Sequence, residues 1–258
     1  MKIVVLVKEV PDTYGDRKLS LETGLADRDA SETVLDEIGE RSLEVALSHA
    51  DKNPGTEVVV LSMAPEGSAA TVRKGLAMGA ASAVHIADPE LVGADLGLTA
   101  EVLAAALTRT GFDLVIAGNL STDGSGGVLP SMVAELLDVP AATFLNTVEI
   151  GDGTVSGERG SDGATQQVSA ELPALISITE RLPDARFPNF KGIMAAKKKP
   201  FETLTAADLG VVPESHEWSR SIVIGLTEKP PREAGVKIVD EGDAGEKLAE
   251  FLIQNRLV

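Results

Sequence analysis

Short apolar runs rich in β-branched residues alternate with alanine-rich stretches of helical spacing over the first half of the chain. The runs cover about 3–7, 57–62, 82–86 and 113–118, and the helical stretches cover about 38–51, 67–79, 95–110 and 126–137. Runs that stay apolar without alternation are typical of parallel strands buried on both faces. Alternating strands and helices favour right-handed crossovers over a parallel sheet. The sequence therefore predicts an α/β fold, an open sandwich with a mostly parallel, Rossmann-like sheet.

The pattern changes in the second half of the chain. Residues 147–150 and 154–158 are strand-like and flank a Gly-Asp-Gly turn, which predicts an antiparallel hairpin that extends the sheet. Residues 172–179 are strand-like again, whereas 180–199 have little periodicity and contain two prolines. A long ordered loop of this kind is usually functional.

One domain accounts for most of the chain. We expect a single α/β domain over 1–229, which includes the loop at 181–199. We expect a C-terminal arm over 230–258 that ends in a helix at about 244–255, because a polar stretch follows the proline pair Pro230-Pro231.

The charge balance argues against several classes of partner. The chain has 23 Lys and Arg against 40 Asp and Glu, a formal net charge of −17. Such a chain has little electrostatic attraction for nucleic acid or an anionic lipid surface. The first apolar run has only five residues between Lys2 and Lys8, too few for a signal-peptide core or a membrane span. We therefore expect no nucleic-acid binding, no membrane insertion and a cytoplasmic location.

Residues suited to covalent or metal chemistry are few. The sequence has no cysteine, and its three histidines are His49, His85 and His216. His85 lies inside an apolar run typical of a core strand. No Ser/His/Asp arrangement or metal-ligand spacing is recognisable, and the acid pair Asp36 and Glu37 is ordinary in a chain with 40 acidic residues. We therefore assign neither a catalytic residue nor a metal site.

The glycine-rich segment 118–127 follows the fourth apolar run and precedes a predicted helix. The first run is not followed by G-x-G-x-x-G, and G-x-x-x-x-G-K-[ST] is absent, which argues against the usual dinucleotide and P-loop sites. Backbone amides, the hydroxyls of Ser121, Thr122 and Ser125, and a helix N-terminus are suited to binding a phosphate group. The alternative is a plain turn in which Asp123 or Ser125 caps the helix. The segment holds no Lys or Arg, so neutralising charge has to come from elsewhere.

Positive charge is concentrated in residues 181–199. Six of the 23 basic residues fall there with a single acid, so the segment is net +5. Three of the chain's eight aromatic residues, Phe187, Phe190 and Phe201, lie in or beside it. Apolar anchors ringed by positive charge predict a docking site for an acidic protein surface. The alternative is that 197–199 is a solvated run and the Phe rings pack inward, which we favour for Phe201, whereas we favour exposure for Phe190.

Several motifs together resemble the beta subunit of electron transfer flavoprotein over essentially the whole chain. They are 7–12 (Val-Lys-Glu-Val-Pro-Asp), 76–80 (Leu-Ala-Met-Gly-Ala), 117–132 followed by 134–140 (Ala-Glu-Leu-Leu-Asp-Val-Pro), and 186–199 (Arg-Phe-Pro-Asn-Phe-Lys-Gly-Ile-Met-Ala-Ala-Lys-Lys-Lys). The last string is close to a family signature.

The resemblance implies a heterodimer with an alpha subunit that holds most of one FAD, while this subunit binds AMP. It implies that acyl-CoA and related dehydrogenases dock on the 181–199 loop, as in fatty acid oxidation. Their electrons then pass through FAD to a flavoprotein–quinone oxidoreductase of the respiratory chain. This subunit is thus expected to bind and orient a carrier rather than to turn over a substrate of its own.

The resemblance also implies which positions contact the nucleotide and the partner. The nucleotide contacts fall on Leu6, Asp36, Glu37, Ile38, Gly39, Met63, Ser121, Thr122, Asp123, Gly124, Ser125, Gly126, Gly127, Val128, Leu129, Pro130, Ser131 and Met132. The residues for partner recognition are Arg186, Phe187, Phe190, Ile193, Met194, Lys197, Lys198 and Lys199. Phe190 takes the place of an apolar anchor that is commonly leucine in the family.

Two positions depart from the family pattern. Asp36 and Glu37 stand where many relatives begin the first helix with Asn-Pro, and Gly124–Gly127 is smaller than the polar run common in AMP-binding members. The extra room leaves FAD open as the second nucleotide, although we expect AMP. Two other functions remain as alternatives. One is a stand-alone nucleotide-binding regulatory module of the universal stress protein type, and the other is an adenylating enzyme that would need basic residues beside 118–127.

Overall fold

The structure is a computed structural model that describes residues 1–15, 17–213, 221–232, 234–235 and 237–258. It divides into two units, Met1–Ile224 and Gly225–Val258. The predicted arm at 230–258 lies within the second unit.

Strands and helices alternate through most of the first unit. The strands are β1 (Lys2–Leu6), β2 (Glu9–Pro11), β3 (Thr33–Leu35), β4 (Glu57–Met63), β5 (Ser82–Ile86), β6 (Leu114–Gly118), β7 (Ala141–Leu145), β8 (Glu149–Ile150), β9 (Thr154–Ser161), β10 (Ala164–Glu171), β11 (Ala174–Ile178) and β12 (Phe201–Leu204). The helices are α1 (Glu37–Lys52), α2 (Ala69–Met78), α3 (Leu96–Thr110), α4 (Leu129–Leu136) and α5 (Phe190–Ala196), with α6 (Ala244–Gln254) in the second unit.

The central sheet has seven strands in the order β12-β5-β4-β1-β6-β11-β7, and all their pairings are parallel. One hydrophobic core includes residues of α1 and α2, such as Leu43 and Leu76. The other includes residues of α3 and α4, such as Leu107 and Val133. Because both faces are covered, the inner strands are mostly apolar, and their polar residues Ser62, His85 and Ser177 are buried as well. The predicted Rossmann-like α/β fold is confirmed.

The predicted antiparallel hairpin is present, but it does not extend the central sheet. Strands β8, β9 and β10 form a separate antiparallel sheet. The chain leaves the central sheet after β7, where the pairing of β7 with β11 has an irregular register between Ile176 and Ile178. The amide of Asn146 then donates to the carbonyl of Glu158 at 2.6 Å. A bulge bends a strand, which explains why the next strands belong to a different sheet.

The segment 180–199, which we predicted without regular structure, contains the short helix α5. Asn189 caps this helix, since its side-chain oxygen accepts a hydrogen bond from the amide of Gly192 at 2.8 Å. The helix packs very closely on α2, because a Cβ built on Gly192 would lie 2.3 Å from the carbonyl oxygen of Ala77. Asparagine is a preferred N-cap residue, but the sequence prediction did not use Asn189 as a helix start.

The second unit contains α6, which confirms the helix predicted at about 244–255. Asp243 precedes it and forms an ion pair with Lys247 at 2.9 Å. In the described parts of the chain, none of the helices is long and apolar enough to cross a bilayer.

Candidate functional site

The carboxyl ends of the parallel strands bring the predicted nucleotide residues to one edge of the sheet. Leu6 ends β1 and Met63 ends β4, and both are half-buried. The glycine-rich loop follows β6, whose neighbours are β1 and β11. Open α/β sheets bind their ligands at this edge. We call the loop 119–128, together with Asp36 at the start of α1, the carboxyl-edge cradle.

A hydrogen bond joins Asp36 to the glycine-rich loop. The amide of Thr122 donates to Oδ2 of Asp36 at 2.9 Å, and Asp36 is only 2% exposed. Its other oxygen, Oδ1, is buried without a hydrogen-bond partner among the described residues. Burial raises the pKa of Asp36 above its ordinary value, although hydrogen bonds from the backbone of Thr122 and Ile38 and from the side chain of Thr122 partly oppose it. The cradle therefore has a buried carboxylate oxygen that a ligand can satisfy.

Helix capping does not account for the glycine-rich loop. Helix α4 begins at Leu129, its N-cap residue is Val128, and no side chain of the described chain caps it. Asp123 instead accepts from the amide of Gly124 at 2.6 Å, and the hydroxyl of Ser125 donates to the carbonyl of Ser121 at 3.3 Å. The alternative in which Asp123 or Ser125 serves as the cap is therefore wrong. Pro130 has no amide N–H and the amide of Met132 donates to the carbonyl of Val128 at 3.1 Å, so in the first turn of α4 the amides of Leu129 and Ser131 remain for an anion.

Positive charge reaches the loop from the N-terminal part of the chain. Nζ of Lys8 lies 2.8 Å from Oδ1 of Asp123 and 3.4 Å from the hydroxyl of Ser121. The guanidinium of Arg28 lies 3.7 Å from Oδ2 of Asp123, and that of Arg17 donates to the carbonyl of Thr122. Burial raises the pKa of Asp123, but Lys8, Ser121 and the amide of Gly124 together outweigh this effect, and the pKa lies below its ordinary value. Our sequence reading missed these three cations, although Lys8 directly follows the first strand.

Small residues keep the loop open. Ser125 and Gly127 adopt positive φ, +50° and +68°, and a Cβ at Gly126 would meet no atom within 4 Å in the described chain. The remaining predicted nucleotide residues lie close by: Glu37, Ile38 and Gly39 open α1, while Leu129, Pro130, Ser131 and Met132 open α4. Gly118 ends β6 against Ile38, since a Cβ there would lie 2.6 Å from that side chain.

His85 and His49 lie in structural surroundings within the described residues. His85 is 1% exposed, one of its ring nitrogens lies 3.1 Å from the carbonyl oxygen of Ala64, and burial lowers its pKa. This confirms His85 as a core residue. His49 contacts Asn53 in α1, and His216 falls outside the described residues. Within those residues, no group of three His, Cys, Asp or Glu could hold a metal ion.

The docking segment 181–199 exposes a group of apolar side chains. Phe187 and Phe190 are 92% and 80% exposed, and Ile193 and Met194 are about half exposed. Lys197 and Lys198 beside them are exposed as well. The expected exposure of Phe190 is confirmed. Phe201 packs against the core instead, as expected, with the guanidinium of Arg73 4.2 Å from its ring centre.

Two residues predicted for partner recognition bind within the chain. Nε and Nη2 of Arg186 donate to the two carboxylate oxygens of Glu44 at 2.7 and 2.8 Å, and Nη2 also reaches Asp51 at 2.9 Å. Nζ of Lys199 donates to the carbonyls of Leu76 and Ala80 at 2.9 and 2.6 Å. These contacts tie the segment to α1 and to the end of α2. Arg186 and Lys199 therefore hold the segment 181–199 against the rest of the fold, and the other residues predicted for partner recognition are exposed.

Comparison with known proteins agrees with this arrangement. The family model for the electron transfer flavoprotein domain matches residues 23–209. The chain is 44% identical to electron transfer flavoprotein subunit beta of Mycobacterium leprae over 99% of each chain. It is 45% identical to the same subunit of Mycobacterium tuberculosis, again over 99% of each chain. It is also 33% identical to the caffeyl-CoA reductase-Etf complex subunit CarD of Acetobacterium woodii, over 83% of this chain and 82% of that protein.

The family-model match agrees with the full-length relatives, and both agree with the fold. The chain belongs to the electron transfer flavoprotein family as a beta subunit, the part of an electron carrier that pairs with an alpha subunit.

Proposed function

We propose that this beta subunit binds AMP in the carboxyl-edge cradle. The observation that carries the proposal is Oδ1 of Asp36, which is buried without a hydrogen-bond partner in the described part of the chain. A buried polar group without a partner costs about 1–3 kcal/mol. A ribose hydroxyl can donate to Oδ1 of Asp36, and a ligand oxygen can accept from Thr122.

The phosphate of AMP fits the other end of the cradle. The backbone amides of Gly126, Gly127 and Ser131 suit an anion, whereas those of Gly124 and Ser125 already donate to Asp123 and Ser121. Lys8 and Arg28 lie beside the loop on Asp123 and supply the charge that the loop itself lacks. The same features would accept the diphosphate of a second FAD, and the test below distinguishes the two.

We propose further that this chain and its alpha subunit enclose one FAD, held mainly by the alpha subunit. FAD supplies the redox chemistry, because this chain has no cysteine, one Tyr and one Trp and hence no evident relay of redox-active side chains. The work of this chain is to bind, orient and shield. In the proposed pathway, electrons pass from the FAD to a flavoprotein–quinone oxidoreductase of the respiratory chain. The proposed location of the complex is the cytoplasm.

The exposed face of α5 is the proposed docking site for acyl-CoA and related dehydrogenases. Phe187, Phe190, Ile193 and Met194 provide apolar anchors, and Lys197–Lys198 provide positive charge at their edge. Charge of this kind raises the rate of encounter with an acidic surface, while apolar burial sets the lifetime of the complex. The name of the relative CarD places that protein in a complex with a reductase of a CoA thioester.

Nucleotide analysis tests the cofactor proposal. The complex of this chain with its alpha subunit is purified and denatured, and the released nucleotides are separated and counted. We expect one FAD and one AMP per pair. Two FAD would overturn the assignment of AMP, and a colourless homodimer that binds ATP would favour the universal stress protein alternative. In Thr122→Val we expect reduced AMP content with FAD unchanged.

Stopped-flow reduction of the complex by an acyl-CoA dehydrogenase tests the docking proposal. Phe190→Ala should slow reduction without loss of flavin. Val92→Ala, which truncates an apolar residue that is 70% exposed elsewhere, is the matched control. An equal rate in the two variants would remove Phe190 from the docking site. Added salt should slow reduction further if the lysines steer the encounter.

A further inference from the structure

Phe144, in β7, adopts an unusual backbone conformation. Its φ is +60°, in the left-handed region that suits glycine and that a bulky residue rarely enters. The ring is 38% exposed, so burial of the ring alone does not explain why the chain retains this conformation. Strained residues of this kind persist where the surrounding structure holds them, and they cluster at functional sites.

The surroundings hold Phe144 through the neighbouring strand. Its amide donates to the hydroxyl of Ser177 at 2.9 Å, and Ser177 is completely buried in β11. Ser177 lies between Ile176 and Ile178, where the register of β11 against β7 shifts. After the bulge, the amide of Thr179 donates to the carbonyl of Leu145 at 2.9 Å. The conformation is thus built into the sheet.

The ring of Phe144 lies against the glycine-rich loop. A Cβ built on Gly127 would lie 3.4 Å from Cζ of the ring and 3.9 Å from Cβ of Leu120. Gly127 is the positive-φ residue that leads the loop into α4. The bulge therefore brings an aromatic ring against the turn from which the phosphate-binding amides project.

We propose that Phe144 is a positioning residue for the nucleotide, whose ring holds the Gly127 turn in the shape that binds phosphate. The inference rests on the proposed binding of AMP in the cradle. A rigid loop binds more tightly because less freedom is lost on binding. The competing explanation is that the bulge only redirects the chain toward β8, in which case the ring has no part in binding.

Two substitutions separate these explanations. In Phe144→Gly the backbone strain is relieved and the ring is lost, whereas Phe144→Tyr keeps a ring of the same shape. Affinities for AMP and for adenosine are measured by equilibrium dialysis on the full chain in complex with its alpha subunit, freed of endogenous AMP. We expect Phe144→Gly to lower the ratio of AMP affinity to adenosine affinity about tenfold, with an unchanged or higher melting temperature. We expect Phe144→Tyr to keep the ratio of the unsubstituted chain.

The outcomes are distinguishable. A Phe144→Gly variant with the ratio of the unsubstituted chain would overturn the inference and leave the proposed AMP site intact. No AMP binding by the unsubstituted complex would overturn both. Ser177→Ala provides a second variant if Phe144→Gly does not fold, because it removes the acceptor that holds the bulge and leaves the ring in place. We expect it to lower the ratio about threefold, and an unchanged ratio would contradict the inference.

Discussion

The guanidinium of Arg186 donates two hydrogen bonds, of 2.7 and 2.8 Å, to the carboxylate of Glu44. The amide of Arg186 donates to the same carboxylate at 3.0 Å. These two residues join the docking segment to α1 across 142 positions of sequence. The sequence places Arg186 in a predicted basic docking surface, but its contacts with Glu44 mainly anchor that segment to α1.

Arg186→Lys should destabilise the fold, because an ammonium group cannot make the paired contacts of a guanidinium. The pair is partly buried, with side-chain exposures of 33% and 14%, so we expect a loss of about 1–2 kcal/mol in the free energy of unfolding. Urea denaturation measures it. Arg181→Lys, an exposed change in the same segment, is the control, and an equal effect of the two changes would show that the Glu44 contact adds nothing.

The contribution of Glu44 should depend on pH. Burial raises the pKa of Glu44, but the hydrogen bonds and charge of Arg186, together with the hydrogen bond from Ser48, outweigh this effect, and the pKa lies below its ordinary value. A carboxyl with a lowered pKa stabilises the fold above its ordinary pKa, about 4.3, and the stabilisation is lost as pH falls through the lowered value. The stability difference between the unsubstituted chain and Glu44→Gln should therefore be constant near neutral pH and shrink in acid. A difference that does not change down to pH of about 2 would contradict this origin.

Asp36→Asn should stabilise the ligand-free chain and weaken nucleotide binding. Burial raises the pKa of Asp36, so ionisation of Asp36 disfavours the folded state at neutral pH. The gain from Asn, about 1 kcal/mol, should be present at pH 7 and disappear as pH falls toward the ordinary pKa of Asp, about 3.9. Thermal melts at several pH values and AMP dialysis measure the two effects. If Asp36→Asn lowered the stability at pH 7, the prediction would be wrong. The buried carboxylate of Asp36 would then have enough hydrogen bonds without a ligand.

Gly192→Ala should displace α5 from α2. A Cβ at Gly192 would lie 2.3 Å from the backbone carbonyl of Ala77, which cannot move as a flexible side chain does. We expect a loss of about 1–3 kcal/mol, despite the higher helix propensity of alanine, together with slower reduction by a dehydrogenase. Gly67→Ala is the control, because a Cβ there would meet no described atom within 4 Å. Unchanged stability and rate in Gly192→Ala would show that the spacing of the two helices is not critical.

Lys199 and Lys197 should behave differently. Nζ of Lys199 donates to two carbonyls at the end of α2, so Lys199→Met should lower stability by about 1–2 kcal/mol. Lys197 is exposed, so Lys197→Met should leave stability within about 0.5 kcal/mol and slow dehydrogenase docking at low salt. The two readouts are urea denaturation and stopped-flow reduction. The reverse pattern would exchange the roles assigned to the two lysines.

The order of buried strands and helices could be read from local pattern, because a strand covered on both faces needs an unbroken apolar run. The local pattern did not predict the edge strands β7 and β12. Ala141–Leu145 begins with two alanines and Phe201–Leu204 has two polar residues of four, so neither shows a β-branched apolar run. They become strands because a neighbouring strand offers hydrogen bonds. The local pattern did not predict helix α5 either, because seven residues are too few to show a helical period.

The sequence was enough to identify the family, the parallel sheet, the glycine-rich loop and the exposed Phe190, because each depends on a local run of residues. Folding decided which charges meet. Lys8 pairs with Asp123 from 115 positions away, and Arg186 and Lys199 turn inward to α1 and α2 rather than outward. Contacts at such separations depend on how the strands are ordered in the sheet, and no local pattern of residues encodes that order.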